Sequence, residues 1–221
     1  MSIKESKGNM YSFITHQWNP VRGKCPYNCS YCYVGRWGNA QKSLYIDRKD
    51  LKSPLGAGRF IFICSGCDIF HSDVPRDWIT DVRNQTLQYP DNKYLWHTKN
   101  PQRLVELIEP GPADVACVTI ESNIGYEKIS MASVPFERAM YLRKWEGRKM
   151  ITVEPILDFD LDVFIDLILS CKPDQVNIGA DSGRNRLPEP TLWKIEQLVY
   201  ALEINSITVH QKKNLNRLIL V

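Results

Sequence analysis

Short apolar runs rich in β-branched and aromatic residues recur along the chain and predict a regular series of strands. Six of these runs are separated by stretches that are mostly long enough for helices, and a seventh lies near the C-terminus. The predicted strands are 13–18, 59–64, 93–98, 115–120, 149–154 and 175–180, followed by 206–210. The predicted helices are 77–88, 100–109, 135–146, 160–170 and 189–202.

Strands that alternate with helices form βαβ units, in which the strands pair in parallel. Six or seven such units within 221 residues favour a partial (β/α)6-type parallel barrel, with the seventh run as an additional C-terminal strand. No G-x-G-x-x-G motif follows the first predicted strand, which argues against a dinucleotide-binding fold. We therefore expect residues 1–221 to form a single α/β barrel domain.

The composition agrees with this interpretation. Hydrophobic residues make up 43% and charged residues 24% of the chain, which excludes disordered and collagen-like classes. No apolar run reaches the roughly 18 residues that span a bilayer, so we expect no membrane partner. The N-terminal segment is polar and lacks the apolar stretch of a secretory signal, which favours a location in the cytoplasm, including that of a phage-infected host. The net charge of +3 permits a polyanionic partner without favouring one.

Seven cysteines change this picture, because they occur without an export signal that would favour disulfides. Three of them, Cys25, Cys29 and Cys32, follow the first predicted strand in a C-x3-C-x2-C pattern, and Tyr31 directly precedes the third. Three thiolates on one short loop can hold three irons of a [4Fe–4S] cluster, which usually takes four cysteine ligands. The remaining iron would keep an open position, as a catalytic metal site requires.

This motif resembles the signature of the radical SAM superfamily, in which C-x3-C-x-aromatic-C follows the first strand of a partial (β/α) barrel. The resemblance implies that Cys25, Cys29 and Cys32 bind a [4Fe–4S] cluster and that Tyr31 packs near the adenine of S-adenosylmethionine. It also implies the chemistry of that superfamily, in which reductive cleavage of S-adenosylmethionine gives a 5′-deoxyadenosyl radical that abstracts hydrogen from a substrate. An external electron donor of the flavodoxin or ferredoxin type would then be a partner.

A zinc site is the main alternative for these cysteines. Cys29 and Cys32 form one C-x2-C pair, Cys64 and Cys67 form another, and four thiolates with this spacing suit structural zinc. Such a non-catalytic zinc-binding module leaves Cys25 unexplained, and Cys64 closes an apolar strand instead of a knuckle turn. The iron–sulfur cluster is therefore the favoured interpretation.

The wider chain resembles phage-associated radical SAM proteins that are distantly related to spore photoproduct lyase. The matching stretches are short, and their order along the chain makes the combination informative. They are 18–21, 68–75, 98–101, 119–122, 153–156 and 178–183. Polar or glycine residues end nearly every predicted strand, as expected of a parallel barrel that carries its chemistry at the carboxyl ends of its strands.

Several strand-end residues are candidates for binding the cofactor. Many radical SAM enzymes carry Gly-Gly-Glu after the second strand for the methionine amino group, and Ser65 and Asp68 stand at that place here. Glu121 and Ser122, at the end of the fourth strand, are candidates for contacts with the ribose hydroxyls. Lys99 ends the third strand, where it could neutralise the methionine carboxylate.

Two further residues are candidates for catalysis. Glu154 ends the fifth strand, where it could contact cofactor or substrate, and Cys67 could return a hydrogen atom to a product radical. Each charged strand-end residue also has a structural interpretation, as a solvated loop charge or part of a local salt bridge. Their occurrence together at strand ends favours function. Cys117 and Cys171 are interpreted as small buried apolar residues.

Basic and aromatic residues around the cysteine motif and near the C-terminus favour a nucleic-acid or nucleotide substrate. Cations interleaved with rings suit phosphates and bases, although a solvated surface over core aromatics explains the same pattern. The basic residues are Arg22, Lys24, Arg36, Lys42, Arg48, Lys49, Lys52, His210, Lys212, Lys213 and Arg217, and the aromatic ones are Trp18, Tyr27, Tyr33, Trp37 and Tyr45. By analogy with thymine-lesion repair, we expect a nucleobase or modified thymidine in phage DNA as substrate. A peptide or small metabolite is the alternative for such an enzyme.

Overall fold

The structure, a computed structural model, describes residues 3–8, 10–36 and 43–219. Its strands are β1 (Ile3–Glu5), β2 (His16–Trp18), β3 (Val21–Arg22), β4 (Tyr45–Ile46), β5 (Phe60–Ile63), β6 (Lys93–Thr98), β7 (Asp114–Thr119), β8 (Arg148–Val153), β9 (Gln175–Ile178) and β10 (Thr208–Gln211). Eight of them form one sheet in the order β1-β2-β5-β6-β7-β8-β9-β10, and β3 pairs with β4 in a small second sheet.

Helices connect the parallel strands. They are α1 (Arg48–Leu51), α2 (Arg76–Leu87), α3 (Pro101–Leu107), α4 (Pro135–Leu142), α5 (Leu161–Ser170), α6 (Leu192–Ile204) and α7 (Asn216–Ile219). Two short 3-10 turns lie at Tyr33–Arg36 and Lys213–Leu215. Within the part of the chain that the structure describes, no helix has the length and apolar character needed to cross a membrane.

Seven strands of the large sheet run parallel and follow one another in chain order, from β2 to β10. The edge strand β1 pairs with β2 in the antiparallel direction. This mostly parallel sheet confirms the predicted α/β class, and β10 confirms the seventh strand near the C-terminus. The sequence pattern misses β1, β3 and β4, because runs of two or three residues are too short to show a period.

The first parallel strand is shorter than predicted. It begins at His16 instead of residue 13, because the preceding residues form a turn in which the Ile14 N–H donates to the Tyr11 carbonyl at 3.0 Å. Tyr11 and Ile14 are both buried. An apolar run that packs as a turn therefore looks like the start of a strand in the sequence.

Side-chain caps set the starts of α3 and α6. The Asn100 side chain accepts a hydrogen bond from the Arg103 N–H at 3.3 Å, as its place before a proline predicts. Thr191 caps α6 through the Lys194 N–H at 3.4 Å, so this helix begins at Leu192 instead of residue 189.

Alternation along the strands gives the sheet two different apolar faces. One face packs against the helices, and strand residues such as Ile63, Trp96 and Val118 belong to the shared core there. The opposite face, which we call the inner face, carries a smaller cluster. Its members are Tyr11, Ile14, Phe62, Leu95, Val115, Cys117 and Met150. The segment before β2 thus covers part of the inner face.

Neutral polar side chains continue the inner face towards the carboxyl ends of the strands. The His97 Nε2 and the Thr119 Oγ1 are hydrogen-bonded at 2.8 Å, and the Tyr11 hydroxyl and the Thr152 Oγ1 at 3.0 Å. Burial lowers the pKa of His97 to about 3, so its imidazole is uncharged near neutral pH. Charged side chains follow where the strands end.

Candidate functional site

The cysteine motif lies on a loop after β3, at the carboxyl edge of the parallel sheet. In this cysteine loop, residues 23–32, the thiols of Cys25, Cys29 and Cys32 are free and partly exposed. Gly23 opens the loop with a φ of +118°, and a Cβ there would lie 2.5 Å from the Ser43 carbonyl oxygen. A glycine is required because both the backbone conformation and this close approach exclude a side chain.

The connection between β7 and α4 holds the cysteine loop in place. The Ser30 N–H donates to the Ile129 carbonyl at 2.9 Å, and the Met131 N–H donates to the Tyr27 carbonyl at 3.0 Å. The two bonds come from the residues on either side of Ser130. These hydrogen bonds connect the cysteine loop to the segment that follows β7 and Glu121.

Tyr31 meets two other predicted cofactor residues, Lys99 and the buried Glu121, in one group. The Tyr31 hydroxyl donates to the Glu121 Oε1 at 2.5 Å, and the same oxygen binds the Lys99 ammonium group. The Glu121 Oε2 binds the Arg138 guanidinium at 2.7 Å. Burial favours a raised pKa for Glu121, but the charges of Arg138 and Lys99 outweigh it and lower this pKa far below its usual range. We call Tyr31, Lys99, Glu121 and Arg138 the Glu121 cluster.

Arg138 is the member of the Glu121 cluster that sequence reasoning misses. It is 4% exposed, and it also donates to the Thr119 carbonyl at 2.5 Å. On α4 it shares the buried face with Ala139 and Leu142. An arginine among apolar residues on one helix face requires a buried anion, and this signal could have identified it.

Asp68 and Ser65 have partners within the loop after β5 and its neighbours. The Asp68 carboxylate accepts hydrogen bonds from the Thr98 hydroxyl at 2.8 Å and the Lys99 N–H at 2.7 Å, which ties this loop to the end of β6. Burial raises the pKa of Asp68. The Ser65 hydroxyl donates to the Gln17 Oε1 at 2.7 Å. Both residues therefore position loops around the cysteine motif, and their contact with a methionine amino group stays a prediction.

Ser122, the second predicted ribose contact, belongs to a tight turn after β7. It is buried, its hydroxyl donates to the Asp158 carbonyl at 2.6 Å, and its oxygen accepts from the Ile124 N–H at 2.9 Å. These bonds direct the chain from β7 into the connection that holds the cysteine loop. The ribose contact of Ser122 stays a prediction.

Glu154 forms a second charged group at the end of β8. Its Oε2 binds the Lys212 Nζ at 2.8 Å, and its Oε1 accepts a hydrogen bond from the Asn214 Nδ2 at 3.3 Å. We call these three residues the Glu154 cluster. A Cβ on Gly179 would lie 2.9 Å from the Glu154 carboxyl carbon, so the neighbouring strand leaves room for the carboxylate. The Lys212 Nζ lies 4.8 Å from the centre of the Tyr11 ring. Sequence reasoning misses Asn214 and Gly179.

Cys67 lies beside the cysteine motif. The hydrogen bond between its thiol and that of Cys25 lowers the pKa of Cys25 and raises that of Cys67, which burial raises further. Its Sγ lies 3.9 Å from the Asp68 carbonyl oxygen. Its predicted hydrogen-atom transfer would therefore take place next to the expected cluster. Cys117 and Cys171 are fully buried, which confirms that part of the prediction.

The cysteines are not gathered around a single point. Within residues 3–8, 10–36 and 43–219, no three His, Cys, Asp or Glu side chains form a group that could hold a metal ion. The four cysteines of the zinc alternative therefore do not form a metal site, and one of them, Cys64, packs into the core on the helix side of the sheet. The three cysteines of the motif do not form such a group either. The donor set of the motif nevertheless fits an iron–sulfur cluster, because three free, partly exposed thiols share one loop that a second chain segment holds.

Several basic residues that could face a polyanion are engaged in ion pairs. They are Arg22, Arg48, Lys212 and Arg217, and their partners are Asp50, Asp81, Glu154 and Glu189. The exposed lysines among the candidates for such a contact are Lys24, Lys49, Lys52 and Lys213. Trp37, Lys42 and the side chain of Arg36 lie outside the described part of the chain. A contact with nucleic acid would rest on the exposed lysines.

Comparisons with known proteins identify a family and a fold. The model of the family DUF5131, described as a protein of unknown function, matches residues 9–201. No curated protein matches the chain. Among solved structures, a double mutant of spore photoproduct lyase with bound AdoMet and dinucleoside spore photoproduct is 12% identical with a TM-score of 0.58, over 86% of this chain and 62% of that one.

A second spore photoproduct lyase structure agrees with the first. A single mutant with dinucleoside spore photoproduct is 11% identical with a TM-score of 0.59, over 89% of this chain and 63% of that one. The chain spans less than two thirds of the length of these lyase structures. At this sequence identity, the similarity shows that the fold is shared.

Proposed function

The chain belongs to the DUF5131 family of proteins of unknown function, and we propose that it is a radical SAM enzyme. The observation that carries this proposal is that Tyr31 of the cysteine motif joins Lys99 and Glu121 at the carboxyl edge of the sheet. The fold shared with spore photoproduct lyase, one structure of which has AdoMet bound, supports it. In this proposal the sheet is a partial (β/α)6-type barrel with β10 as a seventh strand.

The cysteine loop is the proposed place of the [4Fe–4S] cluster, with Cys25, Cys29 and Cys32 as ligands. A cluster bound there would supply the electron that cleaves S-adenosylmethionine into methionine and a 5′-deoxyadenosyl radical. Since the loop has three cysteines, a cluster held there would keep one iron free for the amino and carboxylate groups of methionine. An external donor of the flavodoxin or ferredoxin type would provide the electron.

The Glu121 cluster would organise S-adenosylmethionine beside the cysteine loop. Glu121 holds the Lys99 ammonium group and the Tyr31 hydroxyl, while Arg138 adds a second cation, so the cluster has a net positive charge. A cation at this place favours the carboxylate of methionine. We assign the carboxylate contact to Lys99, the adenine contact to Tyr31 and a ribose contact to Glu121.

Three further residues complete the proposed cofactor site. Ser65 and Asp68 lie on the loop after β5, where a serine oxygen or a carboxylate can accept from the methionine amino group. Ser122 lies next to Glu121 and would contact the ribose. Because each of these side chains already has a local partner, cofactor binding would add to or replace a bond that the structure describes.

Glu154 and Cys67 are the residues that we propose to act on the substrate. Lys212 holds the Glu154 carboxylate at the end of β8, where it can accept a hydrogen bond or a proton from the substrate. The Cys67 thiol would donate a hydrogen atom to the substrate radical. The resulting thiyl radical would regain an electron from the external donor and a proton from water.

The proposed substrate is a nucleobase, with a modified thymidine in phage DNA as the specific candidate for modification or rearrangement. The neutral polar inner face, where His97 bonds Thr119, suits an uncharged ring with carbonyl and N–H groups. The lyase structures that share the fold contain a dinucleoside photoproduct, which supports the same class. The exposed lysines, of which Lys24 lies in the cysteine loop, would contact phosphates.

Anaerobic reconstitution tests the proposed enzyme class. After addition of iron and sulfide we expect about four irons per chain, and after addition of reductant and S-adenosylmethionine we expect release of 5′-deoxyadenosine. Cys29→Ala should abolish both, whereas the matched control Cys171→Ala, which changes a buried cysteine outside the motif, should retain both. A colourless protein with stoichiometric zinc, or a cluster without any 5′-deoxyadenosine, would contradict the proposal.

Deuterium transfer tests the substrate. We expect deuterium to move from labelled thymidine in single- or double-stranded DNA into 5′-deoxyadenosine. Transfer from free nucleosides alone would exclude a polynucleotide target, as would absence of DNA binding at low salt. Transfer from a labelled peptide or metabolite mixture, without any from nucleic acid, would instead identify the alternative substrate class.

A further inference from the structure

A hydroxyl group on the β7–α4 connection reaches the sulfur of one cysteine of the motif. The Ser130 Oγ lies 3.2 Å from the Cys29 Sγ. The residues before and after Ser130 make backbone hydrogen bonds to the cysteine loop at 2.9 and 3.0 Å. These two bonds fix the serine opposite the sulfur, so the contact is part of how the two segments are joined.

The Ser130 hydroxyl can donate to this sulfur. Its oxygen accepts a hydrogen bond from the Ala132 N–H at 3.2 Å, which leaves the hydroxyl proton for Cys29. A cysteine that binds a metal is a thiolate and has no proton to donate. When Cys29 is a ligand, the hydrogen bond can therefore run in one direction only, from the serine to the sulfur.

Among the described residues, two other side chains that contact the motif differ from Ser130 as donors. The Tyr31 hydroxyl also interacts with Cys29, but it donates its proton to Glu121 at 2.5 Å. Cys25 interacts with the thiol of Cys67, which is a weaker donor than a hydroxyl, and with the backbone of Tyr27 and Asp68. Ser130 thus gives Cys29 a side-chain hydroxyl donor.

We propose that Ser130 is a positioning residue of the cluster site, whose hydroxyl donates a hydrogen bond to the Cys29 thiolate and raises the reduction potential of the [4Fe–4S] cluster. The inference rests on the proposed function, because it requires Cys29 to be a cluster ligand. A hydrogen bond withdraws electron density from the sulfur and stabilises the reduced, more negative state. The β7–α4 connection then sets both the place of the loop and the ease of its reduction.

An isosteric pair of substitutions separates the hydroxyl from the shape of the side chain. Ser130→Thr keeps the hydroxyl donor. Ser130→Val introduces a side chain of the same shape as threonine that has no hydroxyl. After anaerobic reconstitution, the midpoint potential is measured by reductive titration followed by electron paramagnetic resonance. At a fixed potential we expect S130V to lower the ratio of reduced to oxidised cluster about tenfold, which is about 59 mV for one electron. S130T and the matched control S133A, on the same connection, should stay close to the unsubstituted protein.

Vibrational spectroscopy gives a second readout that a purely structural role would not change. Resonance Raman spectra report the stretching of the bonds between iron and cysteine sulfur. In heavy water, the unsubstituted protein and S130T should share a deuterium-sensitive band that S130V lacks. Iron and sulfide content, together with thermal unfolding of the metal-free proteins, shows that the variants are folded and loaded. Ser130→Ala replaces S130V if the valine variant does not fold.

The outcomes distinguish this inference from the proposed function. Equal potentials and equal Raman shifts for S130T and S130V, at equal cluster content, would overturn the role of Ser130 and leave the proposed function in place. Failure of the unsubstituted protein to assemble a cluster would overturn both. A lower potential in S130V, with rescue in S130T, would support the assignment.

Discussion

The Glu121 and Glu154 clusters lie at the same edge of the sheet, but they hold their carboxylates differently. Glu121 binds two cations and a phenol, and its side chain is 5% exposed. Glu154 binds one ammonium and one amide group, and its side chain is 17% exposed. The first cluster is joined to the cysteine loop, whereas the second is completed by the segment after β10.

This difference agrees with the separate cofactor and substrate roles that we propose for the two clusters. All residues of the Glu121 cluster lie within residues 9–201, which the family model matches, while Lys212 and Asn214 lie beyond them. The Glu121 cluster therefore belongs to the part of the chain that family members share, next to the proposed cofactor. The Glu154 cluster depends on the C-terminal segment and faces the inner side of the sheet, where we place the substrate.

Loss of the Glu121 charge should have the largest effect on stability. Glu121→Gln leaves the buried Arg138 and the partly buried Lys99 without their anion, which costs about 3 to 5 kcal/mol in the free energy of unfolding. Glu154→Gln removes a more exposed carboxylate and leaves one cation, Lys212, without its anion instead of two, so it should cost less. Urea unfolding of both variants measures the difference, and equal losses would remove the distinction between the clusters.

A methyl group on Gly179, directly after β9, should crowd the side chains of the Glu154 cluster and leave the Glu121 cluster unchanged. In Gly179→Ala the added Cβ would lie 2.9 Å from the Glu154 carboxyl carbon, so we expect a loss of about 1 to 3 kcal/mol in unfolding free energy. In the control Gly125→Ala, the nearest atom would be the Val134 Cγ1 at 3.9 Å, and stability should hardly change. Thermal or urea unfolding checks both, and a similar loss in the control would argue against crowding at Glu154.

The neutral inner face below the two clusters should make stability depend on pH through His97. Its pKa is about 3 in the folded protein and about 6.5 in an unfolded chain. The unfolded state therefore takes up the proton first. This contribution to stability is complete above about pH 6.5 and falls by up to about 1.4 kcal/mol per pH unit below it, until the pH approaches about 3.

Unfolding measurements on His97→Gln test this dependence. The variant should lose stability less steeply than the unsubstituted protein between pH 6.5 and 4.5, although its stability near neutral pH is lower because the bond to Thr119 changes. Parallel pH profiles of the two proteins would show that the histidine does not titrate as expected.

Removal of the Tyr31 hydroxyl should have the smallest effect. Tyr31→Phe removes one of the bonds to Glu121 and leaves both cations in place, so the expected loss is about 1 kcal/mol in unfolding free energy. Tyr126→Phe is the matched control, because its hydroxyl donates to the Asp158 carbonyl outside the cluster. Urea unfolding compares the two variants. A loss as large as that of Glu121→Gln would mean that the phenol, not the cations, holds the carboxylate.

Much of the fold could be predicted from local patterns. The six strands and the seventh near the C-terminus appear as apolar runs, because a parallel strand that is covered on both faces has few polar side chains between its apolar ones. The cap at Asn100 appears because a helix start needs a side-chain acceptor for its free N–H groups. The short strands β1, β3 and β4 could not be predicted, because two or three residues are too few to show an alternation of apolar and polar positions.

The candidate site was predictable only in part. The sequence places Lys99 and Glu121 at the ends of neighbouring strands, and the structure brings both to Tyr31. Arg138 comes from a helix, and its contact with Glu121 depends on how α4 packs against the sheet. Lys212, a candidate for nucleic-acid contact in the sequence, is instead paired with Glu154, because a cation that becomes buried needs an anion.

The sequence by itself determined the strand series and the spacing of Cys25, Cys29 and Cys32, because both are properties of residues close together along the chain. The tertiary structure decided which charged side chains form ion pairs. It also decided which segment, the β7–α4 connection, is bonded to the cysteine loop. The contacts of Glu121 with Arg138 and of Cys29 with Ser130 join segments far apart in the chain. Such contacts follow from strand order and helix packing, which no local pattern specifies.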